Sequence, residues 1–122
     1  MNHILVIDDE KAVLEVIQQA LMRFGFEVEV AQDGQEGIQK FDNGDFDLVL
    51  TDLRMPGIDG IGVLHHIRSS SRRLTPIIGF SGTPWLLKDS DFDLVFPKPF
   101  PLKDLVSAVQ NLSTKSAPAL PF

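Results

Sequence analysis

The chain has no cysteine. Neither a disulfide framework nor a thiolate metal site is therefore open to it, which fits a cytoplasmic protein. There is one tryptophan and no tyrosine. A basic surplus is also lacking: 17 Asp and Glu stand against 11 Lys and Arg, for a formal net charge of −6. The electrostatic footprint of a nucleic-acid binder, or of a protein held on an anionic membrane, is thus missing. The acidity suits a cation or a basic partner instead. No apolar run approaches the roughly 18 residues of a membrane span, and no basic N-terminal region leads into an apolar stretch. What is present suits one soluble domain: 122 residues, 43% hydrophobic and 23% charged, enough to bury a core.

One pentad occurs twice. "DFDLV" at 45–49 runs on to Asp52, and "DFDLV" at 91–95 runs on to Lys98, each ionisable residue lying three positions past the valine. Around these copies the sequence alternates between two periods. "HILVID" (3–8), "FEVEVA" (26–31), "FDLVLT" (46–51), "PIIGFS" (76–81) and "FDLVF" (92–96) read as strands. Residues 10–24 place Val13, Val16, Ile17, Ala20, Leu21 and Phe24 at helical spacing, ended by Gly25. Further helices are expected over 33–44, 59–70 and 101–112, with Phe24, Phe26 and Phe41 in the core and His65 and His66 on solvated surface. Strict alternation of strand and helix implies a parallel sheet covered on both faces by right-handed crossovers. Five strands point to the flavodoxin-like, doubly wound α/β fold with strand order 2-1-3-4-5. The repeated pentad then reads as one recipe for starting a strand, used twice, and not as an internal duplication.

In such a sheet, ligands bind outside the carboxyl ends of the strands. The chain delivers Asp8, Asp9 and Glu10 after strand 1, Asp52 at the end of strand 3, Ser81 at the end of strand 4 and Lys98 after strand 5. Singly, these residues have plain roles as helix caps, turn formers or a loop lysine. Jointly they converge on one edge of one sheet. Three aspartates against one lysine leave two negative charges, which a divalent cation would neutralise. All-oxygen donors suit Mg²⁺ with several retained waters. A carboxylate beside a cation and a lysine is a competent phosphoryl acceptor.

With these residues in place the chain resembles a response-regulator receiver domain. The matching stretches are "VIDDE" (6–10), "LVLTDLRMPGIDG" (48–60), "PIIGFSG" (76–82) and "FPKPF" (96–100). The resemblance spans residues 3–113. It implies that Asp52 accepts a phosphoryl group and that Asp9, Asp52 and the backbone carbonyl of Arg54 ligate Mg²⁺, with Asp8 acting through water. It implies that Ser81 is a switch hydroxyl, that Lys98 pairs with the phosphoryl group and that the Lys98–Pro99 bond is cis. The donor would be a histidine kinase or a histidine phosphotransfer protein, and the chain would be no enzyme beyond its own phosphorylation and dephosphorylation. Residues 1–113 would form the receiver and 114–122 a tail or the start of a linker, with no role for nucleic acid or membrane.

Two other classes compete. A phosphohydrolase of similar fold that uses an aspartyl phosphate would place a second acid two residues after the nucleophile, and here that position is Arg54. A flavin-binding module of the same fold would show visible absorbance. Against the family pattern, Val95 stands where an aromatic residue is usual. The crossover between strands 4 and 5 is also short: residues 82–91 leave room for a fourth helix of one or two turns at most, shortened or absent. Trp85 falls in that crossover and is the expected reporter of the site.

Overall fold

The structure, a computed structural model, describes residues 2–84 and 91–115. In chain order the elements are β1 (His3–Ile7), α1 (Lys11–Arg23), β2 (Glu27–Ala31), α2 (Gly34–Asn43), β3 (Leu48–Asp52), α3 (Gly60–Arg68), β4 (Ile77–Ser81), β5 (Leu94–Pro97) and α4 (Leu102–Lys115). The strands are parallel and ordered β2-β1-β3-β4-β5, as the alternation of periods requires. Among the described residues the crossover between β4 and β5 shows only a 3₁₀ position at Pro84, in line with a shortened fourth helix. Trp85 lies outside the described residues.

Side-chain alternation along the strands builds two cores. Ile4, Val6, Leu48, Leu50, Ile78 and Phe80 face α1 and α4, where Leu14, Ile17, Leu21, Leu105 and Val109 meet them. Leu5, Ile7, Val49 and Ile77 face α2 and α3, where Phe41, Val63, Leu64 and Ile67 meet them. Burying a side chain of this size contributes about 1.5–3 kcal/mol, so the central strands β1, β3 and β4 are the least movable part of the fold. The buried stripe of α1 is Leu14, Ile17 and Leu21, with Val13 and Ala20 packed against the same core, so the expected face holds except that Leu14 joins it. Val16 and Phe24 are exposed: Phe24 sits at the C-cap, where the chain turns away through Gly25 at φ 89°. Phe26 and Phe41 are buried as expected. His65 is exposed, whereas His66 is half-buried with its Nε2 2.8 Å from Asp42 Oδ1.

The repeated pentad has a physical content. In the first copy Asp47 donates its amide to the His3 carbonyl at 2.8 Å, and its Oδ2 accepts the His3 amide at 2.8 Å. In the second copy Asp93 donates its amide to the Ile77 carbonyl at 2.9 Å, and its Oδ2 accepts the Ile77 amide at 2.7 Å. Each copy therefore clasps both backbone groups of the first residue of the strand beside it. The first residue of each copy offers its carbonyl to a side chain, Asp45 to His3 Nδ1 at 3.1 Å and Asp91 to Arg68. The Phe residues close the clasps, Phe46 against the His3 ring at 4.4 Å and Phe92 over Gly79.

Candidate functional site

Ladder bonds place the polar residues. Asp8 follows β1, and its amide donates to Ala31 O at 3.1 Å. Asp52 pairs with Phe80 across the ladder, and the next amide, Leu53, donates to Phe80 O at 3.1 Å. The Lys98 amide donates to Ser81 O at 3.0 Å. The exits of β1, β3, β4 and β5 are thus tied to their neighbours before any side chain is considered. The Lys98–Pro99 bond is cis, as expected.

The structure brings Asp8, Asp52 and Lys98 into contact. Lys98 Nζ lies 3.3 Å from Asp8 Oδ2, 3.3 Å from Asp52 Oδ2 and 3.9 Å from Glu10 Oε1. Asp8 is fully buried and Asp52 nearly so, at 0% and 6% exposure. Asp9 and Glu10 are exposed. Asp8, Asp9 and Glu10 each bring a carboxylate oxygen within 4.8 Å of the others. Ser81 is buried beside them, but its Oγ accepts the Thr83 amide at 3.0 Å and lies 3.4 Å from Thr83 Oγ1. Arg54 is exposed in the loop after β3.

These acids do not cap α1. Glu10 holds the N-cap position with no side-chain cap bond, and Asp8 Oδ1 accepts the Glu10 amide at 2.9 Å, outside the positions a capping side chain serves. By contrast α2 and α3 are capped by Asp33 and Asp59, which accept from Glu36 at 2.7 Å and Gly62 at 2.9 Å.

Burial sets the electrostatics. Desolvation pushes the Asp8 carboxyl above its ordinary range and the charge of Asp52 adds to this, against the pull of the Glu10 amide and Lys98. Desolvation works to lower Lys98, but Asp8 and Asp52 together outweigh it and hold the ammonium above its ordinary range. A buried carboxylate held against ionisation, beside exposed carboxylates within reach, is a donor set that a hard divalent cation would relieve. The oxygen-only ligands match Mg²⁺.

The family model of the response regulator receiver domain matches residues 4–110. The chain belongs to the response regulator receiver family. This receiver is 34% identical over 119 residues to the transcriptional regulatory protein TrcR of Mycobacterium tuberculosis, covering 93% of this chain and 46% of that protein. It is 34% identical over 120 residues to the response regulator MprA of Mycobacterium sp. (strain KMS), covering 94% of this chain and 52% of that one. The receiver thus spans about half the length of these relatives. Among solved structures it is similar to the response regulator TrrA of Thermotoga maritima in complex with Mg²⁺ and BeF. The TM-score is 0.83 at 33% identity, with 92% of this chain and 99% of that chain covered.

The sequence reading placed Glu10 at the receiver's site after strand 1, but not its 3.9 Å reach to Lys98, which depends on how α1 starts. Gly60 had no visible signal: a Cβ there would lie 2.5 Å from Asp52 O and 2.8 Å from Leu53 Cα, so glycine alone lets α3 approach the end of β3. The bond from the Thr83 amide to Ser81 depends on the turn through Gly82.

Proposed function

We propose that Asp52 takes a phosphoryl group from a phosphohistidine, and that the receiver passes its phosphorylation state to another protein through a changed surface. One observation carries the proposal: Lys98 Nζ is equidistant, at 3.3 Å, from the buried Asp8 and from Asp52. An ammonium held between two carboxylates is placed to meet an anion that arrives at either one. In the transfer, an Asp52 oxygen attacks phosphorus, the phosphorus–nitrogen bond to the donor imidazole breaks, and the imidazole nitrogen keeps the electron pair. Lys98 counters the charge on the phosphoryl oxygens. Asp8, Asp9, Asp52 and the Arg54 carbonyl would hold Mg²⁺, with Glu10 close by; that ion supplies charge neutralisation at the transferred group. Ser81 offers its hydroxyl as a donor to the phosphorylated side chain.

The donor is a histidine kinase or a histidine phosphotransfer protein, and its docking face is the groove between α1 and the loop after β5. That groove measures about 570 Å³, is lined by Val13, Val16, Ile17 and Phe100, and has Glu10 and Lys98 on its lip. The same two residues belong to the acid site, so a donor seated there has its histidine beside Asp52. Residues 1–113 form the receiver and 114–122 a tail, and the setting is cytoplasmic; among the described residues no helix is long and apolar enough to cross a membrane. A phosphohydrolase reading finds no second acid at Arg54 to support it. Incubation with acetyl phosphate and Mg²⁺, followed by intact mass, tests the proposal. One phosphoryl group should be added in wild type and none in Asp52→Asn; an unchanged mass in wild type would overturn it.

A further inference from the structure

The sheet has an edge along β2, and side chains from both of its faces reach round to it. In a strand paired on one side, alternate residues turn their backbone groups towards the neighbour and away from it. The Glu27 amide donates to Asn2 O at 3.0 Å and Ala31 O accepts the Asp8 amide at 3.1 Å, so Glu27, Glu29 and Ala31 face β1. Val28 and Val30 therefore present their amides and carbonyls to the outer edge. Both outward carbonyls are occupied. Gln18 Nε2, on α1, donates to Val28 O at 3.3 Å, and Lys40 Nζ, on α2, donates to Val30 O at 2.6 Å. We infer that Gln18 and Lys40 form a two-sided guard that closes the β2 edge to strand addition by a second copy of this chain.

Strand addition needs what these two side chains take away. An incoming strand builds its ladder by donating to edge carbonyls and accepting from edge amides in turn. At 3.3 and 2.6 Å the Gln18 and Lys40 nitrogens stand where the amides of that strand would have to stand. The edge then offers donors without acceptors. A second chain could satisfy its carbonyls there, but its amides would be buried without partners, which costs more than a bond made elsewhere returns. The second copy is the occupant excluded, because its own β2 edge has the same length and alternation and can meet this one about a two-fold axis.

The guard on the α2 side is braced. Glu36 Oε2 lies 3.6 Å from Lys40 Nζ. Glu36 is itself tied into the start of α2, where its amide donates to Asp33 Oδ1 at 2.7 Å and its Oε1 accepts the Gln32 amide at 2.8 Å. The ammonium is thereby held between a carboxylate and the strand it covers. The strand adds charge of its own: Glu27 is exposed, and Glu29 Oε2 lies 2.9 Å from His3 Nε2. Carboxylates along an edge strand oppose pairing with an identical strand.

Sedimentation equilibrium, combined with backbone amide exchange resolved at Val28 and Val30, tests the inference. In wild type the exchange of these two amides should not depend on protein concentration. Gln18→Leu/Lys40→Met keeps both side-chain stems and removes both donors. It should self-associate about tenfold more strongly than wild type, the scale of one or two competing hydrogen bonds, and its Val28 and Val30 exchange should slow as concentration rises. Lys103→Met, at an exposed lysine of α4, removes the same charge and should associate like wild type. A double variant that associates no more strongly than Lys103→Met overturns the inference. So does stronger association that leaves Val28 and Val30 exchange unchanged, and so does wild-type exchange at these amides that already slows with concentration. If the double variant does not fold, Lys40→Met alone decides, with a rise of about threefold expected and Val30 exchange as the readout.

Discussion

At the scale of single residues, the site is a balance between burial and charge, and Asp8 is where the two conflict. Its carboxyl is held above its ordinary range chiefly by desolvation, so the metal-free folded state binds that proton more readily than the unfolded chain. The sign follows: Asp8 contributes most to stability below its unfolded value, and the contribution is lost as pH rises through the raised value. Lys98, also raised, contributes fully below its unfolded value and loses that contribution only at alkaline pH. Near neutrality, Asp8→Asn should therefore stabilise the metal-free protein and remove the stabilisation that Mg²⁺ gives wild type. Urea titrations in EDTA and in Mg²⁺ measure both effects; a metal-free Asp8→Asn that is less stable than wild type would count against the account. Asp9→Ala, on an exposed carboxylate, should weaken Mg²⁺ binding about tenfold or more, on the scale of one lost charged ligand, with little change in metal-free stability. Asp8, Asp52, Ser81 and Lys98 were legible as candidates because strand periodicity places strand ends without any knowledge of tertiary structure. Gly60 was not, nor was the 3.9 Å approach of Glu10 to Lys98, because such contacts depend on how a loop turns and how closely a helix approaches.

At the scale of elements, the two copies of "DFDLV" show why a short repeat need not mean ancestry. Each copy solves one local problem: the first backbone donor and acceptor of a neighbouring strand must be satisfied where the ladder begins. An aspartate whose amide and carboxylate reach the same residue does both. Asp47→Ala should destabilise by about 1–3 kcal/mol, the cost of leaving a backbone amide without its partner. Asp93→Ala should cost more, because Asp93 Oδ2 also takes Arg68 at 2.9 Å. The two costs should add, since β4 separates the strands concerned. Chemical denaturation of both single variants and the double variant checks this, and equal single costs or a strongly non-additive pair would contradict it. The element pattern was readable almost throughout, since period two and period 3.6 differ plainly over these lengths. On α1 the expected Val13, Ile17, Ala20 and Leu21 do meet the core, but Val16 and Leu14 were exchanged, because both are apolar and lie at the two margins of the same face. Gly60→Ala belongs to this scale too. The added methyl meets backbone at 2.5 Å and should displace α3 from the end of β3, costing about 1–3 kcal/mol and slowing phosphorylation of Asp52 by acetyl phosphate.

At the scale of the whole molecule, the doubly wound topology separates what must stay still from what can respond. The central strands are buried on both faces and their exits hold Asp8 and Asp52, whereas Lys98, Glu10 and Phe100 lie where the acid site opens into the groove along α1. Val16 is an exposed apolar side chain of that groove, 53% accessible, although it sits on a helix whose buried stripe is Leu14, Ile17 and Leu21. A lone exposed valine needs no explanation, but one in a groove that Phe100, Glu10 and Lys98 also line can be assigned a task. If a phosphohistidine protein seats itself in the groove, Val16 contributes to its docking and not to the chemistry. Val16→Asp should then slow transfer from a phosphorylated histidine phosphotransfer protein about tenfold or more, the scale of an interface residue that matters. The same variant should accept phosphoryl groups from acetyl phosphate at close to the wild-type rate, because that donor is too small to use the groove. The comparison separates docking from chemistry within one protein. Equal slowing with both donors would place the defect in the site or the fold, and no slowing with either would move the donor's docking face away from α1.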